Sequence, residues 1–485
     1  MTPQRSTPGN GSGGGNDGSL GDEVADGESD ANGQSPTERR DWPLEAYPLP
    51  PGPDGLPIVG NTFQVVRDPI GFYDVVSRYG DVVRYRVAGK TFTALLHPDH
   101  VERVLVSEHD RFERYLFTEF GLDIGSEGLL TSTGEQWHRQ RQLMQPAFTI
   151  ERIRTYADTM AAYAERTADD WDDGQTIAAN RAFSRLTLGI LAKALFDVEI
   201  DPESDDEVIV RAARAINERA NTQSVFTFLP KWLPTPENRR YDRAMADYRE
   251  RIDELIHHRR SDGPGGDDLL SLLLEASGPE GADLSPEEVR DNLVTFLFAG
   301  HETSSVALTY TFMLLARHDD VADTLHEELE TVLDGERPRF EHVPRLEYTE
   351  HVITEAMRLY PPAYILFRTV LEDVVIDGYR IPEGTIVTLP QFWLHTDERF
   401  YDDPDAFEPE RWTDDRDRPE YAYFPFGGGP RHCIGMRFAM LEMKLIVATL
   451  MQQFEPTLLS EPDPEPAVTT TLKPAEDVLI RMDRR

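Results

Sequence analysis

Phe426-Gly427-Gly428-Gly429-Pro430-Arg431-His432-Cys433-Ile434-Gly435 contains the one cysteine of a 485-residue chain. Three glycines and a proline allow tight turns and close backbone approach there. Beyond Gly435, the apolar residues Phe438, Leu441, Leu445 and Ala448 recur at helical spacing, so Cys433 lies just before a predicted helix start. Unpaired N–H groups and the helix dipole favour an anion at such a place, and a thiol there ionises more readily. A lone cysteine is otherwise most often a buried, inert side chain. The glycine frame and Arg431 argue against that.

The rest of the composition narrows the field. One cysteine excludes an intrachain disulfide scaffold, a cysteine-rich zinc site and a four-cysteine iron–sulfur cluster. The chain carries 88 Asp+Glu against 49 Lys+Arg, a formal charge of −39. Such a balance argues against nucleic-acid binding, which depends on basic residues neutralising phosphate. Five of the basic residues are lysine (Lys90, Lys193, Lys231, Lys444, Lys473) and the others are arginine. Acidic runs such as Asp201–Glu207 and Asp402–Asp405 read as solvated surface. Self-repulsion of this size is relieved by salt, so a halophilic prokaryote's cytoplasm is the expected setting.

Residues 1–41 hold nine glycines and no aromatic residue. They read as a disordered, acidic, Gly-rich N-terminal tail, with residues 42–485 as the catalytic domain. The tail has no apolar core of the secretory type. Strands are predicted at Val82–Val87 and Thr91–Leu96 around Ala88-Gly89-Lys90, and a hairpin at Val374–Ile381 around Asp377-Gly378. Thr235-Pro236-Glu237 predicts an N-cap and a long polar helix towards Arg260, and Leu269–Leu274 a short apolar one. The longest apolar run, Leu293–Ala316, carries Glu302 near its middle. A membrane-spanning helix would pay heavily for that charge, so the run is expected to be a buried central helix with no membrane span. The class is mainly α with small β-sheets.

Phe426–Gly435 resembles the haem-binding signature of the cytochrome P450 family, Phe-x-x-Gly-x-Arg-x-Cys-x-Gly, with every fixed position filled. Three further segments resemble that family's motifs in the right order. Trp137-His138-Arg139-Gln140-Arg141 is similar to its Trp-x-x-x-Arg helix, and Ala299-Gly300-His301-Glu302-Thr303 to its oxygen-activating segment. Glu355-Ala356-Met357-Arg358, with Pro409-Glu410-Arg411-Trp412 downstream, is similar to its Glu-x-x-Arg helix and its partner element.

The resemblance implies the P450 fold, with haem b between the long central helix and the Cys-ligand loop and helix. It makes Cys433 the axial ligand of the haem iron, with Phe426 and Gly435 framing it. Ala299 and Gly300 would let the central helix approach the porphyrin, while Thr303 and Glu302 deliver protons. Trp137 and Arg141, pointing the same way, would meet a haem propionate, as would Arg431 and Arg368. Glu355, Arg358 and Arg411 would form a structural ionic triad. The implied reaction is monooxygenation of a hydrophobic molecule (fatty acid, terpenoid, sterol-like or carotenoid) by O2. Rival readings are a peroxide-using peroxygenase or isomerase and, more remotely, a non-enzymatic haem sensor.

No flavin- or nucleotide-binding segment appears in the 485 − 433 = 52 residues after Cys433. Electrons are therefore expected from a separate ferredoxin and its reductase, docking on Arg139, Arg431, Arg437 and Lys444. The substrate pocket is expected from Phe117, Phe120, Phe298, Ala363, Tyr364, Ile365 and Leu366, with Phe226–Trp232 as an apolar loop over it.

Overall fold

A computed structural model of the chain describes residues 43–115, 125–200, 208–219, 235–262, 268–277, 284–413 and 418–485. The expected tail, Phe117, Phe120 and the Phe226–Trp232 loop lie outside them. The described residues contain helices α1 (Thr62–Arg67), α2 (Phe72–Ser77), α3 (Pro98–Glu102), α4 (Gly134–Met144), α5 (Ile150–Asp169), α6 (Ala179–Phe196) and α7 (Val208–Arg219). They continue with α8 (Pro236–Asp262), α9 (Leu269–Ser277), α10 (Pro286–Leu315), α11 (Asp319–Leu333), α12 (Glu347–Leu359), α13 (Gln391–Leu394) and α14 (Met436–Gln453). The architecture is mainly α.

The strands are short. β1 (Val82–Val87), β2 (Lys90–Leu95), β3 (Phe112–Arg114), β5 (Ile365–Val370) and β8 (Ile386–Pro390) form one sheet in the order β1-β2-β8-β5-β3. β4 (Gln175–Ala178), β9 (Phe454–Leu458) and β12 (Leu479–Arg484) form a second, and β6 (Val374–Ile376) pairs with β7 (Tyr379–Ile381). β10 (Pro466–Val468) and β11 (Leu472–Pro474) make a hairpin near the C-terminus. Both expected hairpins are present with two-residue turns: Ala88 and Gly89 have φ of 50° and 81°, Asp377 and Gly378 of 50° and 75°. Lys90 therefore joins β2, opposite Val87, instead of the turn.

α10 is the axis of the fold. Its 30 residues span about 45 Å. The apolar run marks only its last 23 positions, because its first two turns are polar. Its start was nonetheless written in the sequence: Ser285 caps Glu288 N–H while the Glu288 carboxylate accepts from Ser285 N–H, a capping box with Pro286 in the first turn. Val306–Leu315 pack against α5, α6, α11, α12 and α14 in the largest apolar core. Val289–Phe298 pack into a second core with α6, α8 and α9. Thr235 Oγ1 accepts from Asn238 N–H at 3.1 Å and opens α8 as expected. No helix is long and apolar enough to cross a membrane among the described residues.

Candidate active site

The cysteine loop is built by backbone geometry. Gly427 N–H donates to Phe424 O at 2.8 Å, and Cys433 N–H to Phe426 O at 2.9 Å. Gly429 has φ of 62°, and a Cβ there would sit 1.8 Å from Leu105 O, so no other residue fits without moving that backbone. α14 starts at Met436 with Gly435 as N-cap, which puts Cys433 two residues before the cap. The thiol has an open face, yet dense protein lies behind it. Desolvation pushes its pKa up, and the Gly435 N–H and the Arg141 guanidinium pull it back.

α10 carries the next group of candidates. Ala299 and Thr303, one turn apart, share a face, and Thr303 Oγ1 donates to Ala299 O at 2.8 Å. This back-bond satisfies the hydroxyl and loosens the helix locally. A Cβ at Gly300 would meet the Leu191 methyls at 2.9 and 3.0 Å, so the glycine also lets α10 approach α6. Thr187 Oγ1 of α6 reinforces that contact by donating to His301 O at 3.0 Å. Glu302 is buried, and its Oε1 accepts from Thr471 Oγ1 at 3.0 Å and Lys473 Nζ at 2.9 Å.

Three guanidiniums converge where β3 and β5 meet the cysteine loop. Antiparallel pairing of β3 and β5 sets Arg114 opposite Arg368, a cross-strand like-charge pair that is unfavourable by itself. Arg431 approaches both. Its guanidinium lies 4.3 Å from the Trp137 ring centre, and Nη1 donates to Ser132 O at 3.2 Å. Arg368 Nη1 donates to Phe367 O at 2.9 Å. Desolvation, then Arg368 and Arg431, lower the Arg114 pKa to about 9. Desolvation and Arg431 lower that of Arg368 to about 10. Arg431 is lowered by desolvation, with Glu113 opposing. No carboxylate forms an ion pair with these three among the described residues. Arg114 escaped the sequence analysis because Phe112-Glu113-Arg114 carries no motif; only strand register reveals it.

Trp137 and Arg141, expected to act on one group, both reach the cysteine loop. Trp137 stacks under Arg431, whereas Arg141 meets His432 O at 2.9 Å and His432 Nε2 at 3.1 Å. Trp137 and Arg141 thus meet adjacent residues of the cysteine loop, Arg431 and His432.

Glu355, Arg358 and Arg411 form a separate buried node, each at most 1% exposed. Arg358 meets both Glu355 oxygens, at 2.8 and 2.9 Å, and Arg411 Nε meets Oε1 at 3.2 Å. Trp412 Nε1 donates to the same carboxylate at 2.9 Å. The remaining guanidinium donors reach the carbonyls of His395, Pro404, Ala406, Asp402 and Asp403, and Arg411 Nη2 also donates to Glu408 Oε2 at 3.0 Å. The node thus ties α12 to the chain ahead of the cysteine loop.

Of the described pocket candidates, Ala363, Tyr364, Ile365 and Leu366 are half-buried where the chain enters β5. Phe298 packs into the α6–α8–α9 core. Phe426 is half-buried against the main core. The expected docking cations need correction. Arg139 pairs with Glu288, Lys444 is buried and pairs with Glu350 at 2.7 Å, and Arg431 lies in the arginine cluster. Arg437 is exposed.

These residues fit an iron porphyrin carrying two carboxylates. The thiol faces open space at a helix start, the arginine cluster needs an anion, and Ala299 and Thr303 supply a small, hydroxyl-bearing wall. Comparison with known proteins agrees. A family model described as Cytochrome P450 matches residues 50–481. The chain is 33% identical to pentalenene oxygenase of Streptomyces avermitilis, over 89% of this chain and 97% of that protein. It is 35% identical to cyclooctat-9-en-7-ol 5-monooxygenase of Streptomyces melanosporofaciens, over 83% of this chain and 88% of that protein. Its fold matches the solved structure of retinoic acid-bound cyanobacterial CYP120A1 with a TM-score of 0.82 and 27% identity, covering 91% of this chain and all of that one.

Proposed function

The chain belongs to the cytochrome P450 family, and from that premise we propose that it oxygenates a hydrophobic, isoprenoid-type substrate with electrons from a ferredoxin and its reductase. It is a haem-thiolate monooxygenase, and its cofactor is haem b. The balance is RH + O2 + 2 e⁻ + 2 H⁺ → ROH + H2O. Bound haem supplies the iron that activates O2, and thiolate ligation favours O–O cleavage.

The chain's own residues do the rest. Cys433 provides the thiolate, and the Gly435 N–H at the sulfur tempers its basicity. Arg114, Arg368 and Arg431 hold the propionates, and Trp137 supports Arg431 from beneath. Thr303 presents a hydroxyl to the oxygen side, and Glu302 carries protons to it from the hairpin side of α10. Glu355, Arg358 and Arg411 keep the cysteine loop in register with α12. Ala363–Leu366 contribute an apolar wall. Arg437 is the one of the four docking candidates left exposed and outside the ion pairs and the arginine cluster, so it is the cation offered to an acidic ferredoxin. The acidic surface suits concentrated salt.

The observation that carries this reading is the thiol at the α14 start, with three guanidiniums that have no carboxylate partner among the described residues. Isoprenoid-type chemistry is supported by the half-buried apolar segment and by relatives whose names carry pentalenene, cyclooctat-9-en-7-ol and retinoic acid. A spin-state screen of the holoenzyme with terpenoids, carotenoids, sterols and fatty acids tests it. Terpenoids or carotenoids should give the largest shifts, and a response confined to fatty acids would contradict the substrate class. Turnover with reduced ferredoxin and O2, but not with H2O2 alone, is the expected electron requirement; the reverse would overturn it.

A further inference from the structure

The two oxygens of Glu302 have different surroundings. Oε1 accepts two hydrogen bonds, from Thr471 Oγ1 and Lys473 Nζ. Oε2 is buried without a hydrogen-bond partner among the described residues. Native structures rarely leave a buried carboxylate oxygen so, and an unmet acceptor in the interior is costly. Both donors come from the β10–β11 hairpin, far from α10 in sequence.

That hairpin is fixed on its other side to the segment that enters β5. Leu472 N–H donates to Pro362 O at 3.0 Å, and Tyr364 Oη donates to Thr469 O at 3.2 Å. Within the turn, Thr469 Oγ1 donates to Thr471 O at 2.8 Å and accepts from Thr471 N–H at 3.2 Å. Six residues from Thr469 to Pro474 thus touch both the acid of α10 and the half-buried apolar wall. Lys473 is 29% exposed where Glu302 is 5% exposed, so the pair runs from the interior to solvent. An exposed pair would contribute little; here one partner is buried and has no alternative cation among the described residues.

We propose that the β10–β11 hairpin is the positioning element for Glu302. Thr471 and Lys473 hold Oε1, which leaves Oε2 as the oxygen that takes and gives the proton, and Pro362 and Tyr364 register the hairpin on the pocket wall. This rests on Glu302 being the proton carrier. Thr471 and Lys473 are positioning residues: they act through Glu302.

The substrate-free holoenzyme, driven by a surrogate ferredoxin–reductase pair, reduces O2 in two ways. O2 + 2 e⁻ + 2 H⁺ → H2O2 needs two protons, whereas O2 + 4 e⁻ + 4 H⁺ → 2 H2O needs two more. The peroxide-to-water ratio therefore reads proton delivery. Lys473→Met should raise it about threefold or more, Thr471→Val less, and Lys473→Arg should restore it to near the wild-type value. In an E302Q background, K473M should add nothing. A wild-type ratio in K473M, or the same rise persisting in E302Q, would overturn the proposal. A ratio unmoved in E302Q alone would overturn the proton role of Glu302 instead. The hairpin's grip is then decided by amide exchange over residues 469–473, faster in K473M if Lys473 anchors the hairpin and unchanged if it does not.

Discussion

Two groups of desolvated charge bear on the cysteine loop, and they are solved in opposite ways. At Glu355, Arg358 and Arg411, the Glu355 carboxylate meets two guanidiniums, Glu408 pairs with Arg411, and other donors find five carbonyls. At Arg114, Arg368 and Arg431, desolvation lowers all three pKa values, neighbouring arginines lower those of Arg114 and Arg368 further, and no described carboxylate pairs with them. The first group is complete within the chain. The second is complete only with an anion. Burial of charge by itself therefore does not mark a ligand site; an unbalanced burial does.

The contrast can be broken most directly at the complete node. Glu355→Gln keeps the side-chain shape but strands Arg358 and leaves Arg411 with Glu408 alone, and should cost roughly 3–5 kcal/mol in denaturant unfolding of the apoprotein. A loss below about 1 kcal/mol would mean that the node is not self-sufficient.

A third way of burying a charge is to discharge it. Glu442 on α14 is 1% exposed, and desolvation raises its pKa to about 8, with a Ser304 hydrogen bond opposing. Its folded pKa lies above its unfolded one. Its contribution to stability is therefore intact below about pH 4.5 and is lost as pH rises through about 8. Glu442→Gln should match the wild type near pH 5 and exceed it near pH 9 by on the order of 3 kcal/mol, measured by urea unfolding at both values. Equal stabilities at pH 9 would show that the carboxyl is not held neutral.

The arginine cluster should respond with the opposite sign to the node. Arg368→Met should leave the apoprotein as stable as before, or slightly more so, while weakening haem retention by about 1.5–3 kcal/mol. Haem transfer to a scavenger protein reads the second quantity and thermal unfolding of the apoprotein the first. A destabilised apoprotein with unchanged haem loss would erase the difference between the two groups. The smallest effect concerns the surface. Raising KCl from about 0.1 to about 2 M should raise the apoprotein melting temperature by about 2–5 °C, because the net charge is −39. No gain would remove the halophilic proposal.

What could be read from the sequence was what is local. The cysteine loop, the Thr303 back-bond, the Glu355–Arg358 spacing and the two hairpin turns each depend on a few adjacent residues. What could not be read depends on register between distant segments. Arg114 reaches the cluster only because β3 pairs with β5, 368 − 114 = 254 residues later. Lys473 reads as a surface charge until the hairpin folds back on Glu302. Arg139 and Lys444 read as docking cations until Glu288 and Glu350 are seen beside them.

The central claim is that the Cys433 thiolate binds the haem iron. The reduced carbon-monoxide difference spectrum of the holoenzyme tests it most directly. The wild type should show the thiolate-type Soret band and Cys433→Ser should lack it while still binding haem. A wild-type spectrum without that band, or a C433S spectrum that keeps it, would contradict the account.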